Sequence, residues 1–143
     1  MPIFNTEDYI ERSFNSILNQ TMDLNDIEVI MVDDCSQDNS PLVIEEYSKK
    51  YDNFKSFFLE KNSSYAGKPR NIALSHASGK YVTFLDADDY FYPTACENLY
   101  YNLIYENADI VIGNFTMDKN SHEKKLLWMR EFHISETWLI MIL

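Results

Sequence analysis

Apolar residues follow two different spacings along the chain, one typical of helices and one typical of buried strands. Apolar side chains three or four residues apart predict helices over residues 6–20, 41–51, 69–76 and 93–107. Nearly continuous apolar runs predict strands over residues 27–32, 54–59, 81–85 and 108–115. A further helix is predicted to begin at Ser135. Because strands and helices alternate, we expect an α/β fold with a mostly parallel sheet flanked by helices.

The ends of these elements carry local signals of their own. Asn5 or Thr6 is predicted to cap the first helix, and Pro69 suits the first position of the third. No linker divides residues 1–143, so we expect one domain. Pro2 is predicted to follow a first strand that the chain lacks, and the apolar run at 138–143 lacks a partner. The chain is therefore interpreted as part of a larger domain.

Composition narrows the classes of function. Apolar residues make up 45% of the chain, enough for a real core. The formal net charge of −11 opposes non-specific binding to nucleic acid and electrostatic docking on anionic lipid. Two distant cysteines fit a reducing compartment, and no apolar stretch approaches the roughly 20 residues needed to span a bilayer. We therefore expect a cytoplasmic protein without a transmembrane segment.

Two acidic clusters directly follow predicted strands. Asp33 and Asp34 follow the predicted strand at 27–32, and Asp86, Asp88 and Asp89 follow the predicted strand at 81–85. Parallel strands would bring both clusters to one edge of the sheet, where ligands bind in such folds. Clustered carboxylates repel one another unless a cation lies among them. The Asp-x-Asp pattern is weak by itself and fits either a solvated turn or a Mg²⁺ or Mn²⁺ site.

Basic residues open the third predicted helix. Gly67, Lys68 and Arg70 lie at its start, where backbone N–H groups and positive side chains can bind an anion. The alternative interpretation is that Lys68 and Arg70 are ordinary basic side chains on the protein surface. A carboxylate after the strand at 27–32 could accept a hydrogen bond from a ligand N–H, such as a pyrimidine imide. The three histidines have no spacing that suits a metal site or a Ser-His-Asp arrangement.

Taken together, these stretches resemble the family 2 glycosyltransferases of the GT-A fold. They occur in the family's order between Pro2 and about residue 115: PIFNTEDYI (2–10), SILNQT (16–21), VDDCS (32–36), DNS (38–40), GKPRN (67–71) and FLDADD (84–89), with Pro93. GKPRN, with Asn62 eight residues before Arg70, is similar to the branch that decorates wall teichoic acid or related cell-envelope polymers. The resemblance implies a Rossmann-like sheet that is incomplete, without its first strand and most of its acceptor half.

The resemblance also implies which residues bind the nucleoside of a donor sugar nucleotide. Pro2 and Phe4 would border the base, and Glu7 would help to hold the nucleoside. Asp34, in preference to Asp33, would accept the N3–H of uracil. The donor implied is a nucleoside diphosphate sugar, with UDP favoured through the family alone.

The remaining implied residues would bind the diphosphate end of the donor. Arg70, with Lys68 nearby, would face the base or the diphosphate. Asp86 would lie near the ribose and the metal, and Asp88 would bind the Mn²⁺ or Mg²⁺ ion that bridges the diphosphate. Asp89 is a neighbour with no assigned role.

The reaction implied is sugar transfer with inversion to a cell-envelope polysaccharide or teichoic acid, at the cytoplasmic face of the membrane. The family's catalytic base lies in its second half, beyond this chain; Glu131 and Glu136 are the last candidates and match poorly. We therefore expect the isolated chain to be marginally stable and poorly active. The alternatives are a nucleotide- and metal-binding remnant without activity, and a phosphoacceptor receiver, which DADD and the upstream AGKPRN disfavour.

Overall fold

The computed structural model describes residues 1–113. The helix predicted from Ser135, the acidic candidates Glu131 and Glu136, and the end of the strand predicted at 108–115 lie outside the described residues. No helix in the described part is long and apolar enough to cross a membrane.

A three-stranded parallel sheet forms the centre of the fold, in the order β1 (Pro2–Ile3), β2 (Val29–Asp33), β3 (Phe54–Phe58). Ile3 pairs with Asp33, and Asp33 pairs with Phe58. The three strands therefore end level with one another, and the loops that follow them leave from one edge. The predicted α/β fold with a parallel sheet is confirmed.

The described helices are α1 (Ile10–Leu18), α2 (Ser40–Lys50), α3 (Gly67–His76) and α4 (Ala95–Tyr105), with a short 3₁₀ helix at Leu24–Asp26. Residues of α1 and α2 pack on one face of the sheet, and α3 packs on the other. The side chains of β2 alternate between the faces, as in any strand. Met31 lies in the main core with Phe14 and Ile44, whereas Val32 lies in a smaller cluster with Ala73 of α3. The sheet is thus covered on both sides, and its carboxyl edge is left for a site.

Residues 2–3 form a strand, although the sequence predicted that they follow a missing one. Met1 O accepts a hydrogen bond from Val32 N (3.0 Å), and Ile3 O accepts one from Asp34 N (2.8 Å). Pro2 lies between these two acceptors, so its missing N–H does not interrupt those bonds. Residues 2–3 are therefore a short strand of the sheet themselves, paired in parallel with β2.

The predicted strands at 81–85 and 108–115 do not form over the described residues, where Thr83 alone is in an isolated bridge. Within the described sheet, β1 offers only two residues to a further strand, which is too short an edge for a ladder. Leu85 is nevertheless buried in the main core with Ile3. The run at 81–85 is therefore buried at Leu85 and partly buried at residues 81–84, and it forms no ladder in the described part of the chain.

The first helix begins later than predicted and has a different start. Thr6 O accepts hydrogen bonds from Tyr9 N and Ile10 N in a turn, and the regular helix begins at Ile10 without a side-chain cap. The Asn5 side chain instead accepts a bond from Gln37 N at 2.8 Å. Asn5 therefore links the loop after β1 to the loop after β2.

Candidate functional site

A cleft of about 360 Å³ opens at the carboxyl edge of the sheet. Its walls come from the ends of β1 and β2, the loop before α3 and the acidic segment after residue 85. Five of the predicted site residues line it: Pro2, Phe4, Asp34, Asp86 and Asp88. The two acidic clusters, separated by about fifty residues in the sequence, therefore face one shared space.

Asp34 is held rigidly where β2 ends. It is only 4% exposed, and Ser63 donates to both carboxylate oxygens, from its N–H to Oδ1 (2.9 Å) and from its hydroxyl to Oδ2 (2.7 Å). A carboxylate has about four acceptor positions, so two such bonds leave capacity for a ligand donor. The Asp34 carboxylate is therefore fixed in direction and still able to accept an N–H from the cleft.

Asp33, the neighbouring carboxylate, does not line the cleft. Successive residues of a strand point to opposite faces, and Asp33 is 3% exposed. Its Oδ2 accepts a bond from Ser36 N at 3.1 Å, while Oδ1 has no hydrogen-bond partner among the described residues. Cys35, which lies between Asp33 and Ser36 along the chain, has a positive φ of 65°. The bond from Ser36 N to the Asp33 carboxylate therefore closes a tight turn that leads the chain away from β2.

Arg70 supplies the positive charge beside the acidic segment. Its Nη2 lies 2.5 Å from Asp86 Oδ1, in an ion pair whose side chains are 35% and 42% exposed. The regular geometry of α3 brings Arg70 to this position, because its first turn follows the loop that ends at Ala66. Lys68 is exposed and is not among the residues that line the cleft. Arg70 therefore balances one of the three clustered carboxylates.

The rest of the acidic segment keeps an excess of negative charge. The pKa of Asp89 is raised, first by partial burial and then by the carboxylates of Asp88 and Asp86. Asp89 N donates to Asp86 O at 3.1 Å, which folds the segment into a turn, and Asp86 and Asp88 of this turn line the cleft. A cation bound there would relieve this repulsion.

The donor set of Asp86 and Asp88 fits one kind of metal site. Within residues 1–113, no group of three or more His, Cys, Asp or Glu side chains converges as in an all-protein metal centre. Mg²⁺ and Mn²⁺ prefer oxygen ligands, and Mg²⁺ sites often combine one or two carboxylates with substrate phosphates. Asp86 and Asp88 therefore fit a metal whose shell is completed by a phosphorylated ligand.

Glu7 has a structural role in the described contacts. Its Oε2 accepts a bond from Asn39 N (2.8 Å), and its N–H donates to Asp38 Oδ2 (2.9 Å). These two bonds tie the loop after β1 to the start of α2, at one side of the cleft. Glu7 itself does not line the cleft.

The loop after β3 contributes residues to which sequence reasoning gave no binding role. Asn62, Ser64 and Tyr65 line the cleft, and Tyr65 is 66% exposed. Asn62 Nδ2 donates to Asp34 O at 2.9 Å, which joins this loop to the end of β2. The place of this loop in the sequence could have indicated that it lines the site, because it follows a predicted parallel strand and must leave from the same edge of the sheet.

Known proteins are similar to this chain in sequence and in fold. A poly(ribitol-phosphate) beta-glucosyltransferase of Bacillus spizizenii is 41% identical over 114 residues, which are 79% of this chain and 18% of that protein. The crystal structure of Staphylococcus aureus TarS 1-349 in complex with UDP-GlcNAc matches with a TM-score of 0.76 and 34% identity, over 86% of this chain and 35% of that chain. The chain thus spans well under half of the relatives it matches.

A third likeness concerns a metal-containing complex. The mannosyltransferase PcManGT of Pyrobaculum calidifontis, in complex with GDP-Man and Mn²⁺, matches with a TM-score of 0.60 and 26% identity, over 78% of this chain and 32% of that chain.

The sequence model described as Glycosyl transferase family 2 matches residues 1–139. The predicted resemblance, including the branch that acts on cell-envelope polymers, is confirmed by these matches. The chain belongs to glycosyl transferase family 2.

Proposed function

We propose that this chain forms the donor-binding half of an inverting glycosyltransferase that takes a UDP-linked sugar. The acceptor is a teichoic acid or a related cell-envelope polysaccharide, and transfer takes place at the cytoplasmic face of the membrane. One observation carries the proposal: Asp34 and Asp88 lie on the walls of a single cleft. A nucleoside diphosphate has a base that can donate an N–H at one end and phosphates that can bind a cation at the other.

The Asp34 end of the cleft suits a uracil base. The carboxylate is oriented by Ser63 and buried, so a hydrogen bond to it is made in a low-dielectric environment. Phe4, which is 46% exposed, lines the same cleft and offers an aromatic face on which the base can stack. Pro2 would border the base beside it.

The Asp88 end suits the diphosphate. Asp88 is exposed and free to turn toward a cation, whereas Asp86 is held by Arg70. A bound Mn²⁺ or Mg²⁺ would stabilise the negative charge of the departing UDP. Arg70 would keep Asp86 in place and add a positive charge near the phosphates, and Lys68 would add a second, exposed one.

The acceptor end of the reaction belongs to the longer proteins of the family. Inversion requires a base that removes the proton of the attacking hydroxyl. Glu131 and Glu136 lie outside the described residues, and we assign that role to neither. The second candidate function is binding of the nucleotide and metal without turnover. A chain with this function would lack the carboxylate base that an active transferase needs.

Isothermal titration of the 143-residue chain with UDP, with and without Mn²⁺, tests the proposal. We expect UDP to bind, Mn²⁺ to strengthen the binding, and CDP to bind more weakly because the cytosine ring has no N3–H to donate to Asp34. Absence of UDP binding, or equal affinity for CDP and UDP, would contradict it. Release of UDP from a UDP-sugar in the same preparation would separate an active enzyme from a binding remnant.

A further inference from the structure

The SILNQT stretch, residues 16–21, matches the family but does not line the cleft. It covers the last turn of α1 and the residues directly after it. Its polar groups contact residues 91–97, a segment that begins two residues after the acidic cluster. The stretch therefore contacts the chain just after the Asp86–Asp89 turn and lies outside the lining of the cleft.

Two side chains of this stretch bind the backbone of the segment. Ser16 Oγ accepts a hydrogen bond from Phe91 N at 3.0 Å. The Gln20 amide donates from Nε2 to Tyr92 O at 2.8 Å and accepts at Oε1 from Cys96 N at 2.9 Å. A single Gln20 side chain thus holds both ends of the turn that leads into α4.

Neighbouring contacts extend the same attachment. Thr21 N donates to Pro93 O at 2.8 Å, and the guanidinium of Arg12 lies 3.7 Å from the centre of the Tyr90 ring. Phe91 is buried in the main core beneath them. The attachment is therefore continuous from residue 90 to the start of α4.

The acidic segment needs such an attachment because strand pairing does not provide one. Over residues 81–93 the described backbone makes no ladder beyond the bridge at Thr83. Buried backbone groups must still find partners, and here the side chains of Ser16, in α1, and Gln20, just after it, supply them. Since α1 is anchored in the core by Ile10, Phe14 and Ile17, it relates the position of the acidic turn to that of the sheet.

We infer that Ser16 and Gln20 are positioning residues that set the distance between the Asp86–Asp88 wall of the cleft and the Asp34 wall. The inference rests on the proposed function, in which both walls bind one nucleoside diphosphate. Loss of either side chain should release the acidic turn and weaken the metal-dependent part of UDP binding. The metal-free part, which depends on Asp34 and Phe4, should remain.

The experiment compares Gln20→Ala, Gln20→Glu and Ser16→Ala with the unaltered 143-residue chain. Gln20→Glu keeps the side chain's size and its acceptor for Cys96 N but removes the donor to Tyr92 O. We expect the gain in UDP affinity caused by Mn²⁺ to fall by about tenfold, as for other residues that orient metal ligands indirectly. Hydrogen exchange of the amides at 86–92 should become about tenfold faster through the loss of those bonds.

Asn102→Ala and Ser48→Ala are the matched controls. Gln20 Nε2 also donates to Ser16 O, four residues earlier, and Ser16 Oγ to Ser13 O, three residues earlier. Asn102 Nδ2 donates to Asn98 O and Ser48 Oγ to Glu45 O, so each control makes a local bond of the same spacing. Both controls should leave the exchange at 86–92 and the Mn²⁺ effect unchanged.

Unchanged exchange at 86–92 in all three variants would overturn the inference, and so would a preserved Mn²⁺ effect in the presence of UDP. If the unaltered chain does not bind UDP, the proposed function fails, while the exchange measurement still decides whether Ser16 and Gln20 hold the turn. The two failures are therefore distinguishable.

Discussion

At the scale of single residues, two adjacent carboxylates have different roles because a strand turns them to opposite sides. Asp34 faces the cleft and is oriented by Ser63, whereas Asp33 binds Ser36 N and shapes the turn after β2. Both are almost fully buried, so burial alone does not distinguish them. The direction of the side chain does, and the strand register sets that direction.

Asp34→Asn tests the role of the carboxylate at the base end of the cleft. The amide keeps an acceptor for Ser63 N, and the Ser63 hydroxyl can turn to accept instead of donate, so the fold should be retained. We expect UDP affinity to fall about tenfold, the size of one lost hydrogen bond to a charged group. Titration calorimetry with UDP and CDP measures the loss, and the preference for UDP over CDP should shrink.

Asp52→Asn is the matched control, because it removes one negative charge at an exposed position away from the cleft. It should leave UDP affinity within error of the unaltered chain. Equal UDP affinity for Asp34→Asn and Asp52→Asn would show that Asp34 does not contact the base.

At the scale of elements, Glu28 connects three parts of the fold below the cleft. It precedes β2, and its carboxylate pairs with Lys55 of β3. It also accepts bonds from Ser78 N (2.8 Å) and from the Ser78 hydroxyl (3.0 Å), after the end of α3. Burial alone would raise the pKa of Glu28, but the bonds from Lys55 and Ser78 outweigh it and lower the pKa to about 2.

Glu28→Gln should therefore destabilise the fold in a pH-dependent way. A carboxyl group whose pKa is lowered by folding stabilises the protein above its unfolded pKa of about 4.3, and this contribution is lost as the pH falls toward 2. We expect a loss of about 1 kcal/mol in the free energy of unfolding at pH 7, because Lys55 is half exposed and solvent weakens the pair. Urea unfolding at pH 7 and pH 3.5 should show a smaller difference at the lower pH.

Glu45→Gln provides the comparison. Glu45 pairs with Lys49 one helical turn away at 2.9 Å, and both side chains are exposed. Such pairs contribute about 0.3–0.5 kcal/mol, so this variant should be nearly neutral at either pH. A pH-independent loss of stability in Glu28→Gln would mean that packing, not charge, explains its effect.

At the scale of the whole molecule, the cleft exists only when the sheet is assembled. Its walls come from loops after β1, β2 and β3 and from the acidic segment, which are separated by up to about 85 residues in the chain. A ligand that bridges these walls binds the folded state and has no site on the unfolded chain. Binding should therefore stabilise the fold as a whole.

UDP with Mn²⁺ should raise the melting temperature of the 143-residue chain by several degrees. At a ligand concentration of one hundred times Kd, binding to the folded state adds about 2.7 kcal/mol. Differential scanning fluorimetry with UDP alone, Mn²⁺ alone and both together measures the effect, and Asp88→Asn should reduce the shift seen with both. An unchanged melting temperature at saturating UDP and Mn²⁺ would be incompatible with a bridging ligand.

The sequence by itself determined most of the local structure and the edge of the sheet at which the candidate site lies. The helix predicted at 41–51 is Ser40–Lys50, and the strand predicted at 54–59 is Phe54–Phe58, because hydrophobic periodicity and Pro41 act over short distances. The parallel order of the strands followed from the alternation of elements. That order brought Asp34 and Asp88 to one cleft, as predicted from the two acidic clusters.

Tertiary structure alone decided which groups face one another. The pairing of Arg70 with Asp86, the bonds from Ser63 to Asp34, and the hold of Gln20 on residues 92–96 each join segments well apart in the chain. Within residues 1–113 the run at 81–85 forms no ladder, because strand formation needs a partner edge, which no local pattern encodes. Periodicity and capping act between near neighbours in the chain, whereas the geometry of the cleft depends on contacts that form only when distant segments pack.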